Sequence, residues 1–251
     1  MDILVLLKQT FDTEAKIVVK DGRILDDDAT LIINPYDEYA VEEALKIREA
    51  QGGTVIVVSV GSDRTEEALR RALAMGTDEA ALIEPPAGAD EYTIASLLAA
   101  WARTRTFDLI LAGNVSVDSG AGQTGVRVAE ALGLPHVAAA LKIEVGGGKA
   151  TVHRDAEGDT EILEVSLPAL VTAQQGLNEP RYPSVPGIMK AKRKTITRIK
   201  AAELDVDAPA RSGVTSVYQA QQNRLGKIVK GSPAEQAKQL VELLRGEAKV
   251  I

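Results

Sequence analysis

Apolar residues fall along this chain in short unbroken runs separated by longer stretches of helical spacing. Residues 3–7, 54–60, 79–83, 107–112, 136–145 and 169–174 are such runs, several of them β-branched throughout, as expected of strands buried on both faces. Between them the period changes. Asn34-Pro35 opens a helix in which Tyr39, Val41, Ala44, Leu45 and Ile47 recur at helical spacing, and Gly52-Gly53 stops it. A second helix is predicted over 65–75, with Thr65 as N-cap and Gly76 as terminator. A third, rich in Ala and Leu, is predicted over 92–104, and a loop beginning at Gly120 runs into a fourth that Gly133 closes. Residues 16–20 and 24–25 flank Asp21-Gly22 as a short hairpin.

Strands that alternate with helices predict a parallel sheet, because parallel neighbours need crossover connections. The rhythm breaks after Gly146-Gly147-Gly148, where 151–155 and 161–167 form an antiparallel pair about Glu157-Gly158-Asp159. The predicted fold is therefore α/β. It is an open, mostly parallel twisted sheet flanked by helices, Rossmann-like, with an antiparallel addition and a C-terminal arm. The α/β domain is assigned to 1–203 and the arm to 204–251. Within the arm, 204–216 reads as a linker and 233–245 as a helix with Ser232 as N-cap and Pro233 at its first position. Ala237, Leu240, Val241 and Leu244 share one face of that helix, which covers either the chain's own core or a partner subunit.

Composition narrows the function. Of 251 residues 45% are hydrophobic and only 3% aromatic, so Val, Leu, Ile and Ala must build the core. The net charge of −7 argues against general nucleic-acid binding, since cations cluster only at 190–194. No cysteine is present, which excludes disulfides, iron–sulfur ligation and thiol nucleophiles and fits a reducing cytoplasm. The opening MDILVLLK is too short to span a bilayer and lacks the features of a signal peptide, so no membrane insertion is expected. His136 and His153 stand apart, with no metal-ligand spacing and no triad motif. A protein that carries a cofactor, rather than one that makes and breaks bonds, is the natural reading.

An open α/β sheet takes its ligand at the carboxyl ends of its strands. Four loops are predicted to leave such ends, near Leu6, Asn34, Val60 and Gly113. The last runs Gly113-Asn-Val-Ser-Val-Asp-Ser-Gly-Ala-Gly-Gln-Thr-Gly125 into a helix. Gly120 and Gly122 clear the way for backbone N–H groups to approach an anion at the helix N-terminus, and Ser119, Gln123 and Thr124 add side-chain donors. No Gly-Lys-Ser/Thr follows, so the loop is no P-loop. From its residues alone it is either an anion site or a tight structural turn.

The segment from Gly176 to Lys194 is the most distinctive stretch. Pro180, Pro183 and Pro186 stiffen it ahead of a cationic run, while Arg181, Tyr182, Val185, Ile188 and Met189 supply an apolar anchor set with one cation. A stiff tip loses little entropy on docking, so the mixture suits partner binding better than catalysis. The string NEPRYPSVPGIMKAK, with Asn34-Pro35-Tyr36 and Gly122-Gln123-Thr124-Gly125, resembles the signature of the electron transfer flavoprotein beta subunit; the resemblance covers roughly residues 1–205 and weakens beyond 204.

That resemblance implies an electron carrier rather than an enzyme. FAD would lie mainly in an alpha subunit, with this chain forming one wall of its pocket. Acyl-CoA-type dehydrogenases would donate electrons and a membrane quinone oxidoreductase would accept them. The glycine loop would hold the phosphate of a structural AMP. Positions matching the family site are Leu6, Asn34, Pro35, Tyr36, Asp37, Val60, Gly113, Asn114, Val117, Asp118, Ser119, Gly120, Ala121, Gly122, Gln123 and Thr124. Ser119 and Gly120 replace two acids of the common pattern, and Asn114 stands where many members have lysine. Electron-bifurcating members hold a second FAD in that site, but their proline-rich segment differs from the form kept here. Partner contacts are assigned to Arg181, Tyr182, Val185, Ile188, Met189 and Lys190, with Val185 in place of the usual leucine anchor. Lys190, Lys192, Arg193 and Lys194 either steer an acidic partner or form a plain solvated face, and Arg154 and Asp155 match a family pair close to the flavin domain. Two other protein classes share such a fold: a universal-stress-type ATP-binding protein and an adenylate-transferring enzyme. The first leaves the docking segment unexplained. The second needs glycines after the first strand, where Lys8-Gln-Thr-Phe-Asp has none.

Overall fold

The computed structural model describes residues 1–25, 29–219 and 226–251. In chain order its strands are β1 (Ile3–Leu6), β2 (Gln9–Phe11), β3 (Val18–Lys20), β4 (Arg23–Leu25), β5 (Leu31–Ile33), β6 (Val55–Val60), β7 (Glu79–Glu84), β8 (Leu109–Gly113), β9 (His136–Gly146), β10 (Lys149–Ala156), β11 (Asp159–Ser166), β12 (Ala169–Ala173) and β13 (Ile196–Lys200). Its helices are α1 (Pro35–Gln51), α2 (Glu66–Met75), α3 (Glu91–Ala102), α4 (Thr124–Leu132), α5 (Val185–Ala191) and α6 (Pro233–Leu243).

Nine strands form one sheet in the order β11-β10-β9-β12-β8-β1-β6-β7-β13. Every pairing from β9 to β13 is parallel, and β10 joins β9 and β11 in antiparallel register. The α/β class and the antiparallel addition are therefore as the sequence predicts. Alternation along β1 divides the core into two layers. Ile3 and Val5 face α1 and α2, whereas Leu4 and Leu6 face α3 and α4. Both layers are filled by aliphatic and alanine side chains, with Trp101 fully within the second.

Several expectations are corrected. Asn34 does not follow a strand of the parallel sheet: among the described residues β5 pairs with β2 alone, in a separate two-stranded antiparallel sheet. Three-residue strands fall below the length at which a period can be read, so this small sheet was invisible in the sequence. Thr65 caps nothing with its side chain, because a 3₁₀ turn over Asp63–Thr65 leads directly into α2. The segment 176–194 is not wholly a loop. Ser184 accepts the Gly187 N–H at 3.1 Å and starts α5, with Pro186 in the first turn, where its missing N–H costs nothing. Strand β13 was not foreseen; it pairs with β7 at one edge of the sheet, and its two isoleucines, three residues apart, pack into opposite core layers, so no period of two could be read.

The chain divides into a unit of Met1–Ser216 and a unit of Val217–Ile251. Residues 204–216, read as a linker, belong to the first. Leu204 and Val206 join the second core layer, and Asp90 accepts hydrogen bonds from the N–H groups of Arg211 and Ser212 at 2.8 and 2.9 Å. The second unit contains α6, in which Glu235 reaches back to the Ser232 N–H at 2.8 Å and no residue is buried.

Candidate functional site

The sheet order places the topological switch at β1. The chain moves outward from β1 to β6 and β7, then returns to β8 on the other side of β1. At such a point the connections diverge to opposite faces and leave a crevice beyond the carboxyl ends of the strands. The crevice here is lined by Leu6, Leu7 and Lys8 after β1, Val60 after β6, and Ala112, Gly113, Asn114, Val115 and Ser116 after β8. Glu91, Ile94 and Leu98 of α3 close one side. Ser119, Ala121, Gly122, Gln123, Thr124 and Gly125 form the end at the α4 N-terminus.

Asn34 and Asp37 at the start of α1 organise this crevice from beneath. Asn34 is almost fully buried. Its amide donates to the Val115 carbonyl at 2.8 Å, and its carbonyl oxygen accepts the Val117 N–H at 3.1 Å. The side chain is thereby committed to shaping the loop. Asp37 accepts the Lys8 N–H at 2.7 Å and the Gly113 N–H at 2.8 Å, fastening together the ends of the adjacent strands β1 and β8. Burial pushes its carboxyl up to about 7, against those two hydrogen bonds and the nearby Lys8 charge. Gly113 is required by contact: a Cβ there would lie 2.2 Å from Asp37 Oδ1 and 2.7 Å from Tyr36 Cβ.

The glycine loop turns through left-handed backbone at Gly120 and Gly122, with φ of 63° and 61°. Ser116 and Ser119 share a 2.9 Å hydrogen bond, and the Gly120 N–H donates to the Ser116 carbonyl at 2.8 Å. Asn114 is held from the sheet, its Oδ1 accepting from Thr172 Oγ1 at 2.9 Å. Lys8 Nζ reaches across the mouth to Asp118 Oδ1 at 2.7 Å and Ser116 Oγ at 3.3 Å. Burial raises the Asp118 carboxyl, but hydrogen bonds from Lys8 and Ser116 outweigh it and hold the group below its ordinary value.

The structure thus gathers Leu6, Asn34, Asp37, Val60, Gly113, Asn114, Ser119, Ala121, Gly122, Gln123 and Thr124 around one crevice. Pro35, Tyr36, Val117, Asp118 and Gly120 lie beside it without lining it. Lys8 was missed as a site residue, although it directly follows β1, where a switch-point crevice opens. Ile94 and Leu98 were missed because their helical spacing reads as ordinary core. The crevice combines an apolar wall with a positively charged end. Leu6, Val60, Ile94 and Leu98 offer an apolar wall for a base, while the α4 N-terminus and Lys8 offer positive charge for a phosphate.

The proline-stiffened segment lies elsewhere on the same unit. Tyr182, Val185, Ile188 and Met189 are exposed, Tyr182 at 88% and Val185 at 75%. Arg181 does not stand out into solvent with them. It forms ion pairs with Glu42 at 2.8 Å and Glu49 at 2.5 Å on α1. Lys194 also turns inward, donating to the carbonyls of Thr77 and Asp78 at 2.7 and 2.9 Å. Lys190, Lys192 and Arg193 are exposed. Arg154 pairs with Glu161 of the neighbouring strand at 3.5 Å. No helix among the described residues is long and apolar enough to cross a membrane.

A crevice at the switch point and a stiff, exposed apolar segment, both carried by one open and mostly parallel sheet, define a doubly wound α/β protein with two candidate functional features. Residues 22–204 match the electron transfer flavoprotein domain. The chain is 50% identical over 257 residues to the electron transfer flavoprotein subunit beta of Bacillus subtilis, covering 100% of both chains. It is 40% identical to the subunit beta of Thermoanaerobacterium thermosaccharolyticum, over 97% of this chain and 98% of that one. It is 39% identical to the human subunit beta, over 89% and 91%. The chain belongs to the electron transfer flavoprotein beta subunit family. Its place is in electron transport, as a carrier subunit rather than a catalyst.

Proposed function

We propose that this chain pairs with an electron transfer flavoprotein alpha subunit and encloses AMP in the switch-point crevice. FAD held mainly by the alpha subunit supplies the redox chemistry when bound. This chain orients one wall of that pocket, accepts electrons through it from acyl-CoA-type dehydrogenases and passes them to a quinone oxidoreductase, in a reducing cytoplasm. The reading as a universal-stress-type protein gives way to the family membership.

The observation that carries the AMP assignment is the meeting of Lys8 Nζ, the α4 N-terminus and the apolar face of α3 at one crevice. Backbone N–H groups of 121–125 and the Lys8 ammonium suit the phosphate, and Leu6, Val60, Ile94 and Leu98 suit the adenine. No side chain there is arranged as a nucleophile with its base, so the nucleotide serves as a structural ligand. It stabilises the native state by mass action, because only that state has the crevice.

The test is co-expression with the alpha subunit, followed by denaturation of the purified complex and quantification of released nucleotides. One FAD and one AMP per heterodimer are expected. Two FAD with no AMP would assign the crevice to a second flavin, and a colourless homodimer would overturn the proposal entirely.

A further inference from the structure

The exposed anchors of the docking segment sit on an unusually well-fastened base. Asn178 donates to the Tyr39 carbonyl at 3.0 Å and to Glu43 Oε2 at 2.9 Å, both on α1. Three residues on, Arg181 gives Glu42 three hydrogen bonds: its backbone N–H at 3.1 Å, Nε at 2.8 Å and Nη2 at 3.0 Å. It gives Glu49 two more, Nη1 at 2.5 Å and Nη2 at 3.1 Å. Glu42 and Glu49 are seven residues apart, so they project from the same face of α1 two turns apart. One planar guanidinium spans both, a geometry that an ammonium cannot reproduce.

The far end of the segment is fastened to a different helix. Arg70 of α2 donates to the carbonyls of Ala191 and Lys194 at 2.8 and 2.5 Å. Between the two fastenings, Gly187 packs so closely on the last turn of α2 that a Cβ would lie 2.4 Å from the Ala74 carbonyl oxygen. The tip from Tyr182 to Met189 is thus held at both ends while its large side chains remain outside.

We infer that Arg181 is a positioning residue, whose guanidinium is consumed by Glu42 and Glu49 to preset the docking tip and does not itself contact the partner. The inference rests on the proposed docking role of this segment. A preset tip loses little conformational freedom on association, so the clamp acts on affinity for the donor and not on the electron-transfer step. The partner then meets an apolar surface of Tyr182, Val185, Ile188 and Met189. The salt dependence of the encounter comes from Lys190, Lys192 and Arg193, not from Arg181.

Removing Arg181 alone would strand the buried Glu42 carboxylate, so two other variants of the flavin-loaded heterodimer are used. Glu49→Ala removes the half-exposed arm of the clamp. R181A/E42Q removes the guanidinium together with the charge it neutralises. Amide hydrogen exchange of residues 182–189 is followed in the heterodimer alone, and KM, kcat and the salt dependence of KM are measured with an acyl-CoA dehydrogenase that reduces the wild type. In the double variant, exchange is expected to rise about tenfold and KM about fivefold, with kcat and the salt slope unchanged. Glu49→Ala is expected to show the same pattern at smaller size. Unchanged exchange, or a salt slope that falls when the guanidinium is removed, overturns the inference; the latter would make Arg181 a direct contact. Val185→Ala is run beside them: unchanged KM there would overturn the docking role itself, while the exchange data would still decide the clamp.

Discussion

Asp37 and Lys8 are joined by a 2.7 Å hydrogen bond from the Lys8 backbone N–H to a carboxylate that is only 5% exposed. The other oxygen of that carboxylate takes the Gly113 N–H, so one side chain holds two strand ends at the base of the crevice. Burial raises the Asp37 carboxyl to about 7. Between pH 4 and 7 the folded state therefore binds a proton that the unfolded state has released. Stability from this group is complete below the unfolded pKa and is lost as pH rises through 7, about 3 kcal/mol between pH 5 and 8. Asp37→Asn removes that slope. Urea unfolding of wild type and variant at pH 5 and pH 8, at fixed nucleotide concentration, is expected to show the smaller pH effect in the variant. Equal pH effects would show an ordinary carboxyl.

Lys8 Nζ is the cation at the mouth of the crevice, paired with Asp118 in this structure. A phosphate bound at the α4 N-terminus would gain a charge-assisted hydrogen bond from it. Lys8→Ala is expected to weaken AMP binding about tenfold to a hundredfold while leaving adenosine binding nearly unchanged. Titration calorimetry with both ligands checks this. A parallel loss for adenosine would place the lysine against the base or the fold instead.

Two glycines of the same loop make a matched pair. At Gly113 the backbone is unremarkable, but Asp37 and Tyr36 fill the space where a side chain would go. At Gly120 nothing lies within 4 Å of a Cβ, and the objection is the left-handed φ of 63°. Gly113→Ala must displace the Asp37 staple, an overpacking cost expected at about 3 kcal/mol. Gly120→Ala meets only the backbone penalty, about 1 kcal/mol. Chemical denaturation of both variants ranks them, and a larger loss at Gly120 would contradict the packing seen here.

The parallel sheet was legible because β1, β6, β8 and β12 are buried along all or most of their length and expose no residue, so that they read as nearly unbroken apolar runs. The crevice was legible where glycine marks it, at 113, 120 and 122. What escaped was fixed by tertiary partners. Lys8 and Arg181 are both cations in plain view, yet only folding shows one facing the crevice and the other closed onto α1. The segment 204–216 read as a linker on composition, since nothing in its Asp, Ala and Pro residues announces that a carboxylate on α3's cap will hold it.

That carboxylate belongs to Asp90. It caps α3 by accepting the Thr93 N–H at 2.9 Å, and its second oxygen takes the Arg211 and Ser212 N–H groups and the Ser212 hydroxyl. Arg211 in turn lays its guanidinium over the Tyr92 ring, 3.5 Å from the centroid. The Thr93 N–H first, then the donors of Arg211 and Ser212, hold the Asp90 carboxyl far below the ordinary carboxylate range. Its contribution is therefore present above the unfolded pKa and is lost only as pH falls well below it, so the attachment persists at mildly acidic pH where unpaired carboxylates begin to protonate. Asp90→Ala removes the cap and the anchor together. Tryptic cleavage after Arg211 at pH 8 is expected to accelerate about tenfold, because cleavage of a folded chain tracks local opening. Asp90→Asn retains one acceptor oxygen and is expected to fall between. Cleavage at the wild-type rate in both variants would mean that Leu204 and Val206 alone, through their burial in the second core layer, keep this segment in place.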